Sequence, residues 1–262
     1  MSGFVGDWLV SEYVYTPAGE YVGRVRQQRR LEPADGGIRV VQVCRPIEPA
    51  PGLSPLGRET AAVMDRRVGE FVFDLALEGR ARRYLGPDVV GGGVAWAEGV
   101  LTARGLWPRF GFNFTSFSIL LGPTRQVTGG RFFAARREVA VIVGVAGPGA
   151  AGYPALPPPT PRTWAGLRCT FTAQGELLDE TRVAAADLLD DLRRQAPGWQ
   201  GCGMAYGPLL EAEGVAGPGE TVSLLAVNDA KAGLVGLARW QRDELLHRVQ
   251  VYRLLEPVEG PP

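Results

Sequence analysis

A spacing pattern near the start of the chain occurs a second time, shifted by 156 residues (164 − 8). Each occurrence begins with a tryptophan and continues with an aromatic residue, a threonine, a glycine, a glutamate and an arginine at the same intervals. The first set is Trp8, Tyr15, Thr16, Gly19, Glu20 and Arg26, and the second is Trp164, Phe171, Thr172, Gly175, Glu176 and Arg182. Six matches at one offset, without a gap, predict two diverged copies of one folding unit in tandem.

Glycine and proline are concentrated between Gly147 and Pro161, directly before the second tryptophan. Segments of this composition interrupt strands and helices and favour extended linkers. We therefore predict a first β-barrel domain over residues 1–147, a linker over 148–161 and a second, reduced β-barrel domain over 162–262.

The first half is predicted to be almost entirely β-structure. Phe71, Phe73, Leu75 and Leu77 alternate with other residues, which is typical of a half-buried strand. Similar short strands are predicted at 8–16, 20–31, 38–44, 81–85, 94–104, 110–121, 125–134 and 138–146. Residues 49–67 are predicted as a long polar loop with at most one helical turn, and residues 86–93 as a mobile glycine-rich loop. Successive short strands without helices favour an antiparallel barrel.

The second half is shorter, with strands predicted at 164–173, 175–184, 221–228, 232–240 and 244–254 and a helix at 184–195. The two halves end alike, because Arg131-Phe132 and Arg239-Trp240 each precede a charged turn and a valine-rich strand. The offset here is 108 (239 − 131), so the second copy is shorter by 48 residues (156 − 108). It is predicted as a reduced or opened barrel.

Gly6-Asp7-Trp8, at the start of the first strand, resembles the Gly-x-Trp signature of lipocalins and the wider calycin superfamily. The resemblance implies a mainly β fold of two tandem antiparallel calycin-like (lipocalin-like) barrels, the second shortened and carrying one helix. In that family an arginine from the last strand lies across the tryptophan, which implies Arg131 on Trp8 and Arg239 on Trp164. The second copy departs from the signature, because Arg162 stands where the glycine would be. Such barrels serve as carriers, isomerases, cyclases and structural modules.

Composition excludes several classes of function. Lys and Arg together number 28, as do Asp and Glu, so a nucleic-acid partner is not expected. No apolar run is long enough to span a membrane, and no basic segment followed by an apolar core begins the chain, so a cytoplasmic location is predicted. Three scattered cysteines and the single histidine, His247, favour neither a metal site nor a disulfide framework. Phosphate-binding and dinucleotide-binding motifs are also absent, and no cofactor is predicted.

Aromatic and polar side chains are concentrated between residues 82 and 118. The leading hypothesis is that the first barrel binds a small, largely apolar molecule in a lumen of a few hundred Å³. Trp96, Trp107, Phe112 and Phe114 are predicted as its contact surface, and Arg83, Tyr84 and Asn113 are predicted to hold its polar end. Phe112 and Phe114 lie on one face of the strand predicted at 110–121, and Asn113 lies on the other. The sequence leaves open which of these two faces points inward.

Two alternatives remain. The same pocket could belong to a cofactor-independent isomerase, cyclase or hydratase, with Asp88 or Tyr84 as the acid or base. Alternatively, the reduced second copy could be a non-catalytic oligomerisation module that pairs through open sheet edges, which would make the protein a homo-oligomer.

Overall fold

The computed structural model describes residues 2–155, 162–207, 209–229 and 233–258. The chain divides into two compact units, Met1–Leu156 and Pro157–Pro262. Of the predicted linker, Pro148 ends a strand and Gly149–Ala151 form a short 3₁₀ helix, while residues 156–161 lie outside the described part.

The first unit is a closed barrel of ten antiparallel strands. Following the chain, neighbouring strands pair in turn, and the first strand pairs with both the second and the last, which closes the ring. The barrel strands are β1 Gly6–Tyr15, β2 Tyr21–Ala34, β3 Gly37–Cys44, β5 Gly69–Glu78, β6 Ala81–Leu85, β7 Val90–Ala97, β8 Val100–Trp107, β9 Phe112–Gly122, β10 Arg125–Ala134 and β11 Arg137–Pro148. The two-residue strand β4, Glu48–Pro49, pairs only with β2.

Alternation along the strands separates the inside of the barrel from the outside. In β5 the predicted residues Phe71, Phe73 and Leu75 are buried in the core between more exposed neighbours. Residues directly opposite each other on paired strands share a face, so this assignment extends around the ring. In β9, Phe112 and Phe114 point inward and Asn113 points outward, exposed.

The two ends of the barrel are covered differently. At the Trp8 end lies a 3₁₀ helix at Ser2–Phe4, which contacts the barrel through Trp8. The Phe4 carbonyl accepts a hydrogen bond of 2.9 Å from Trp8 Nε1. At the opposite end lies helix α1, Pro55–Asp65. Thr60 donates to the carbonyl of Val139 in β11 at 3.1 Å.

The second unit is an open seven-stranded sheet with one helix. Its elements are β12 Trp164–Thr172, β13 Leu177–Ala185, α2 Leu188–Gln195, β14 Gln200–Tyr206, β15 Leu209–Gly217, β16 Glu220–Asp229, β17 Gly233–Arg242 and β18 Leu245–Pro257. The strand order is β13-β12-β18-β17-β16-β15-β14, and in the described residues β13 and β14 do not pair. Leu188 and Leu192 of α2 pack in the core of this sheet. The second barrel is therefore not closed.

The repeated spacing pattern corresponds to one turn that is built the same way in both units. Thr16 N donates to the Glu20 carbonyl and Thr172 N to the Glu176 carbonyl, both at 2.9 Å. Glu20 N and Glu176 N are bound by the threonine hydroxyls at 3.0 and 3.1 Å. The glycines have φ values of 88° and 89°. The matching residues therefore specify a hairpin turn with a left-handed glycine.

Several elements differ from the sequence predictions. The segment predicted as a polar loop contains the eleven-residue helix α1, which begins at the cap Ser54-Pro55. The predicted strand 94–104 is two strands, β7 and β8, and Gly91–Gly93 belong to β7 instead of a loop. The helix predicted at 184–195 begins at Leu188, because Ala184 and Ala185 continue β13. Strands β14 and β15 were not predicted.

The predicted arginine–tryptophan contacts are wrong. Trp8 pairs with Pro148 at one end of β11, whereas Arg131 lies opposite Val141 near the other end. In the second unit Trp164 pairs with Pro257, but Arg239 pairs with Val249. Each arginine is thus too far along its strand to reach the tryptophan. The guanidinium over Trp164 is that of Arg162, 5.6 Å from the ring centre.

Candidate functional site

The first barrel contains a partly open cavity of about 140 Å³. It is smaller than the few hundred Å³ expected from the sequence, because aromatic side chains fill the end of the lumen near α1. One part of its wall is aromatic, and another part carries charged and hydroxyl groups.

The aromatic wall is centred on Trp107, at the end of β8. Its ring lies 6.2 Å from Phe114 and 5.8 Å from Phe132, both at steep interplanar angles. Tyr84 of β6 packs 5.8 Å from Phe73 and 6.5 Å from Phe114. Edge-to-face packing of this kind makes a rigid apolar surface.

A buried ion cluster lies against this wall. Glu12 of β1 accepts a hydrogen bond from Arg29 of β2 at 3.1 Å and another from Arg67. The side chains of Glu12 and Arg67 are each only 2% exposed. The Arg67 guanidinium also lies over the rings of Phe132 and Trp107, at 4.9 and 5.5 Å. Two guanidinium groups therefore share one carboxylate in a largely water-free interior.

Local structure explains how each charge reaches the lumen. Glu12 falls on the inward alternation of β1, together with Trp8, Val10 and Val14. Arg29 faces Trp8 across the β1–β2 pair and so points inward as well. Arg67 is placed by the short connection between α1 and β5, which turns its side chain under the helix.

Part of the hydrogen-bonding capacity of this cluster is unused. Among the described residues, Arg67 Nε and Gln27 Nε2 are buried without an acceptor. Arg29 also donates to Gln27 Oε1 at 2.9 Å and to Thr128 at 3.4 Å. Buried donors without acceptors cost free energy, so the site is suited to a group that brings acceptors. The cavity wall also includes Gln42, Gln126, Ser116 and Ser118.

Burial controls the titration of the neutral groups near the cluster. It raises the pKa of Tyr84 to about 12, so this phenol keeps its proton near neutral pH. Burial also raises the pKa of the Cys44 thiol. Burial lowers the pKa of Arg29, whereas attraction to Glu12 and hydrogen bonding outweigh burial and raise that of Arg67. Both guanidiniums stay charged, since their reference pKa exceeds about 12.

The candidate binding residues are only partly brought together. Trp107, Phe114 and Tyr84 line the cavity, and Phe112 points inward but packs beyond it, with Arg66 5.2 Å from its ring. Arg83 and Asn113 lie on the outer face, where Arg83 pairs with Glu78 at 2.8 Å. They cannot contact the lumen, because Tyr84 and Phe114 occupy the inward positions beside them.

Trp96 and Asp88 also lie away from the cavity wall. Trp96 is buried in β7 and donates to Thr102 at 2.8 Å, next to a break in the β7–β8 register. Asp88 lies in the connection between β6 and β7. His247 lies in the second unit and contacts Glu220 at 3.0 Å.

The three charged residues of the lumen were missed from sequence. A signal was present for two of them, because Glu12 and Arg29 occupy positions whose alternation predicts burial. A charge on the apolar face of a strand is expensive unless it is paired, and it therefore marks an interior site. Arg67 gave no such signal, since it ends a segment interpreted as a loop.

Within the described residues, no helix is long and apolar enough to cross a membrane. In the same part of the chain, no three His, Cys, Asp or Glu side chains are grouped to hold a metal ion.

No protein-family model and no curated protein matches the chain. Among solved structures, it is similar to a protein of unknown function of the DUF3598 family from Nostoc punctiforme, with a TM-score of 0.50 and 11% identity, over 97% of this chain and 96% of that one. It also aligns with an S-type phycobiliprotein lyase from Guillardia theta, with a TM-score of 0.38 and 10% identity, over 55% of this chain and 86% of that one. The first likeness shows the fold alone. Together with the closed barrel, it shows a mainly β fold.

Proposed function

We propose that the first unit binds a small molecule in its lumen, with an apolar part against the aromatic wall and an anionic end at Arg29 and Arg67. The observation that carries this proposal is a partly open cavity beside a buried cluster of two cations and one anion. A purely structural cluster would be expected to balance its charges and use its donors.

The size of the cavity limits the ligand. A cavity of about 150 Å³ in a protein core holds one benzene molecule. A volume of about 140 Å³ therefore fits a compact ligand of roughly one ring. The ring would lie against Trp107 and Phe114.

The second unit shows how a buried arginine is paired with a carboxylate inside a related sheet. Arg168 stands 156 residues after Glu12, at the corresponding position of β12, and its guanidinium donates to Asp191 of α2 at 3.0 Å. Helix α2 thus fills the interior of the second unit and supplies a carboxylate to the buried cation. In the first unit a ligand carboxylate would do the same for the excess positive charge.

Binding accounts for the lumen better than catalysis does. Tyr84 lines the cavity, but a phenol with a pKa of about 12 is a poor base near neutral pH. Asp88 lies outside the cavity wall, and the Glu12 carboxylate is engaged by two guanidiniums. The isomerase, cyclase or hydratase hypothesis therefore lacks a suitably placed acid or base among the residues proposed for it.

Three probes of similar size test the proposal: benzoate, benzamide and toluene, each titrated by calorimetry. Benzoate should bind at least about fivefold more tightly than benzamide, because charge-assisted hydrogen bonds exceed neutral ones by more than about 1 kcal/mol. Arg29→Met should abolish this preference. Arg30→Met is the matched control, since Arg30 is the next residue of β2 and points outward, where it pairs with Glu32.

A substitution that fills the cavity tests whether the probes bind there. Ser116 points into the lumen from β9, so Ser116→Leu should weaken all three probes without unfolding the barrel. Equal affinity for benzoate and benzamide in the unsubstituted protein, or benzoate binding that survives Ser116→Leu unchanged, would refute the proposal.

We also infer that the two units derive from one ancestral β-unit. Strands β9, β10 and β11 begin at 112, 125 and 137, and β16, β17 and β18 begin at 220, 233 and 245, each 108 residues later. The first hairpin (β1–β2 and β12–β13) and the two strands that precede β9 and β16 (β7–β8 and β14–β15) also match in order, so seven strands correspond. The elements β3 to β6, including α1, have no counterpart, and α2 stands in their place. Loss of three barrel strands would leave the open seven-stranded sheet.

A further inference from the structure

A second candidate site lies on the outside of the first barrel, where Phe114 and Thr115 contribute both to it and to the wall of the lumen. It is an open groove of about 560 Å³ across β7 to β10. Its lining residues are Val90, Gly91, Gly92, Arg104, Gly105, Leu106, Asn113, Phe114, Thr115 and Phe133. Among these, Arg104 is the one ionisable side chain.

Strand register gives the groove an apolar row. Val90, Leu106, Asn113 and Phe133 lie opposite one another on four successive strands. Val90 and Leu106 are 41% and 37% exposed. Three spacings between strands give this row a length of about 14 Å.

The next row towards the Trp8 end supplies positive charge. It contains Arg83, Gly92, Arg104 and Arg131. Arg83 pairs with Glu78 at 2.8 Å and Arg131 with Glu138 at 2.7 Å. Within the described part of the chain, Arg104 is exposed and has no carboxylate partner. A cation without a carboxylate partner, beside a mostly apolar row, complements a single anionic group.

The groove has room at Gly92 because this residue has no side chain. Its ladder partners Arg83 and Arg104 point outward, so a side chain at this position would also point outward, into the groove. An added Cβ would meet nothing closer than the Arg82 carbonyl at 3.5 Å. The position is therefore open for lack of a side chain and would accept one without a clash.

The geometry points to a binding site for a small amphipathic monoanion, with its anionic group on Arg104 and its apolar chain along Val90, Leu106 and Phe133. A single unpaired cation is too little for a membrane surface, which is attracted by clusters of about four to eight basic residues. All four strands are paired on both sides, so the groove cannot accept a peptide as an added strand.

Octanoate and its neutral analogue octanol test this site by ¹⁵N chemical-shift titration, which shows where each probe binds. Octanoate should shift the amides of residues 90–92 and 104–106, which do not line the lumen, and bind more tightly than octanol. Arg104→Gln should weaken octanoate binding there about three- to tenfold, and Gly92→Val should abolish it. Arg83→Gln is the matched control and should change the affinity less than about twofold.

A substitution in the lumen distinguishes binding there from binding in the groove. Arg29→Met should leave the groove shifts unchanged, so failure of the lumen proposal and failure of this one are separate results. Shifts confined to residues that face the lumen, equal affinity for octanol, or full octanoate binding by Gly92→Val would each overturn the groove site.

Discussion

At the scale of single residues, the two equivalent glycines make a matched pair for measurement. Gly19 and Gly175 have φ values of 88° and 89° in turns with the same hydrogen bonds. Gly19→Ala and Gly175→Ala should each lower the free energy of unfolding of their own unit by about 1 kcal/mol, because an L-residue is strained there. Urea unfolding followed through resolved NMR signals of each unit measures both.

The control for these substitutions is Gly92→Ala. Gly92 does not have a positive φ, and an added Cβ has its nearest neighbour at 3.5 Å. Stability should therefore be kept. A lower free energy of unfolding in Gly19→Ala, without a similar decrease in Gly175→Ala, would contradict the equivalence of the two turns.

Residues also show how far the site could be predicted. Trp107, Phe114 and Tyr84 line the cavity, as expected of aromatic residues on strands, and their contact with a ligand stays a prediction. Arg83 and Asn113 point outward, and the sequence left this open because period-two alternation gives two sets of residues but not which set points inward. Glu12 and Arg29 had the burial pattern and were overlooked because their charge suggested exposure.

At the scale of elements, α1 closes one end of the barrel through a small set of polar contacts. Ser54 caps the helix by accepting from Gly57 N at 3.0 Å. The Glu20 carboxylate, in the β1–β2 turn, accepts from Ser54 N at 2.9 Å. The same carboxylate also accepts from the Ser54 hydroxyl at 2.5 Å, and this hydrogen bond, together with that from Ser54 N, lowers the pKa of Glu20 below its ordinary value of 4.5.

The direction of this shift predicts an acid-sensitive cap. A carboxyl whose pKa is lowered by folding stabilises the fold above its ordinary pKa, and the stabilisation is lost as the pH falls through the lowered value. The amide signals of Ser54 and Gly57 should therefore titrate below pH 4.5. Glu20→Gln should remove that titration and increase hydrogen exchange in α1 near neutral pH.

Glu176→Gln is the control, because Glu176 occupies the same place in the second turn, at the offset that separates Thr16 from Thr172. It should leave the α1 signals unchanged. Titration of Ser54 and Gly57 that persists in Glu20→Gln would assign the effect to another group.

Elements were predicted from sequence where one local rule decided the outcome. Alternation identified β5, and the Pro-Ala-Gly turn identified the first hairpin. Helix α1 was missed because only Gly57, Thr60 and Met64 are buried in it, so its apolar face is weak. The glycines of β7 were read as a loop, whereas close backbone approach requires them: a Cβ on Gly91 would lie 2.4 Å from the Arg104 carbonyl oxygen.

At the scale of the whole molecule, closure of the sheet distinguishes the two units. In the first, every barrel strand has two hydrogen-bonded neighbours, and the interior keeps a cavity. In the second, the sheet is open, and α2 occupies the interior through Leu188, Leu192 and the Asp191–Arg168 pair. The same hairpin thus begins one unit with room for a ligand and one that is filled by its own helix.

Closure has a measurable consequence for backbone protection. β13 and β14 each have one neighbouring strand in the described sheet, and the side chains of Gln200 to Ala205 are exposed along both faces of β14. Amides on the free side of an edge strand exchange through small local openings. Half of the amides of β13 and β14 should therefore exchange at least about tenfold faster than those of β16 and β17, whereas all strands of the first barrel should be protected.

The dependence of hydrogen exchange on protein concentration distinguishes a free β14 edge from one that pairs with a second copy. If two copies join through β14, as the oligomerisation hypothesis requires, its protection should rise with concentration and native mass spectrometry should detect a dimer. Fast exchange at every concentration would refute pairing through this edge. Protection equal to that of β16, independent of concentration, would instead contradict an open sheet, because a free strand edge leaves its outward amides to water.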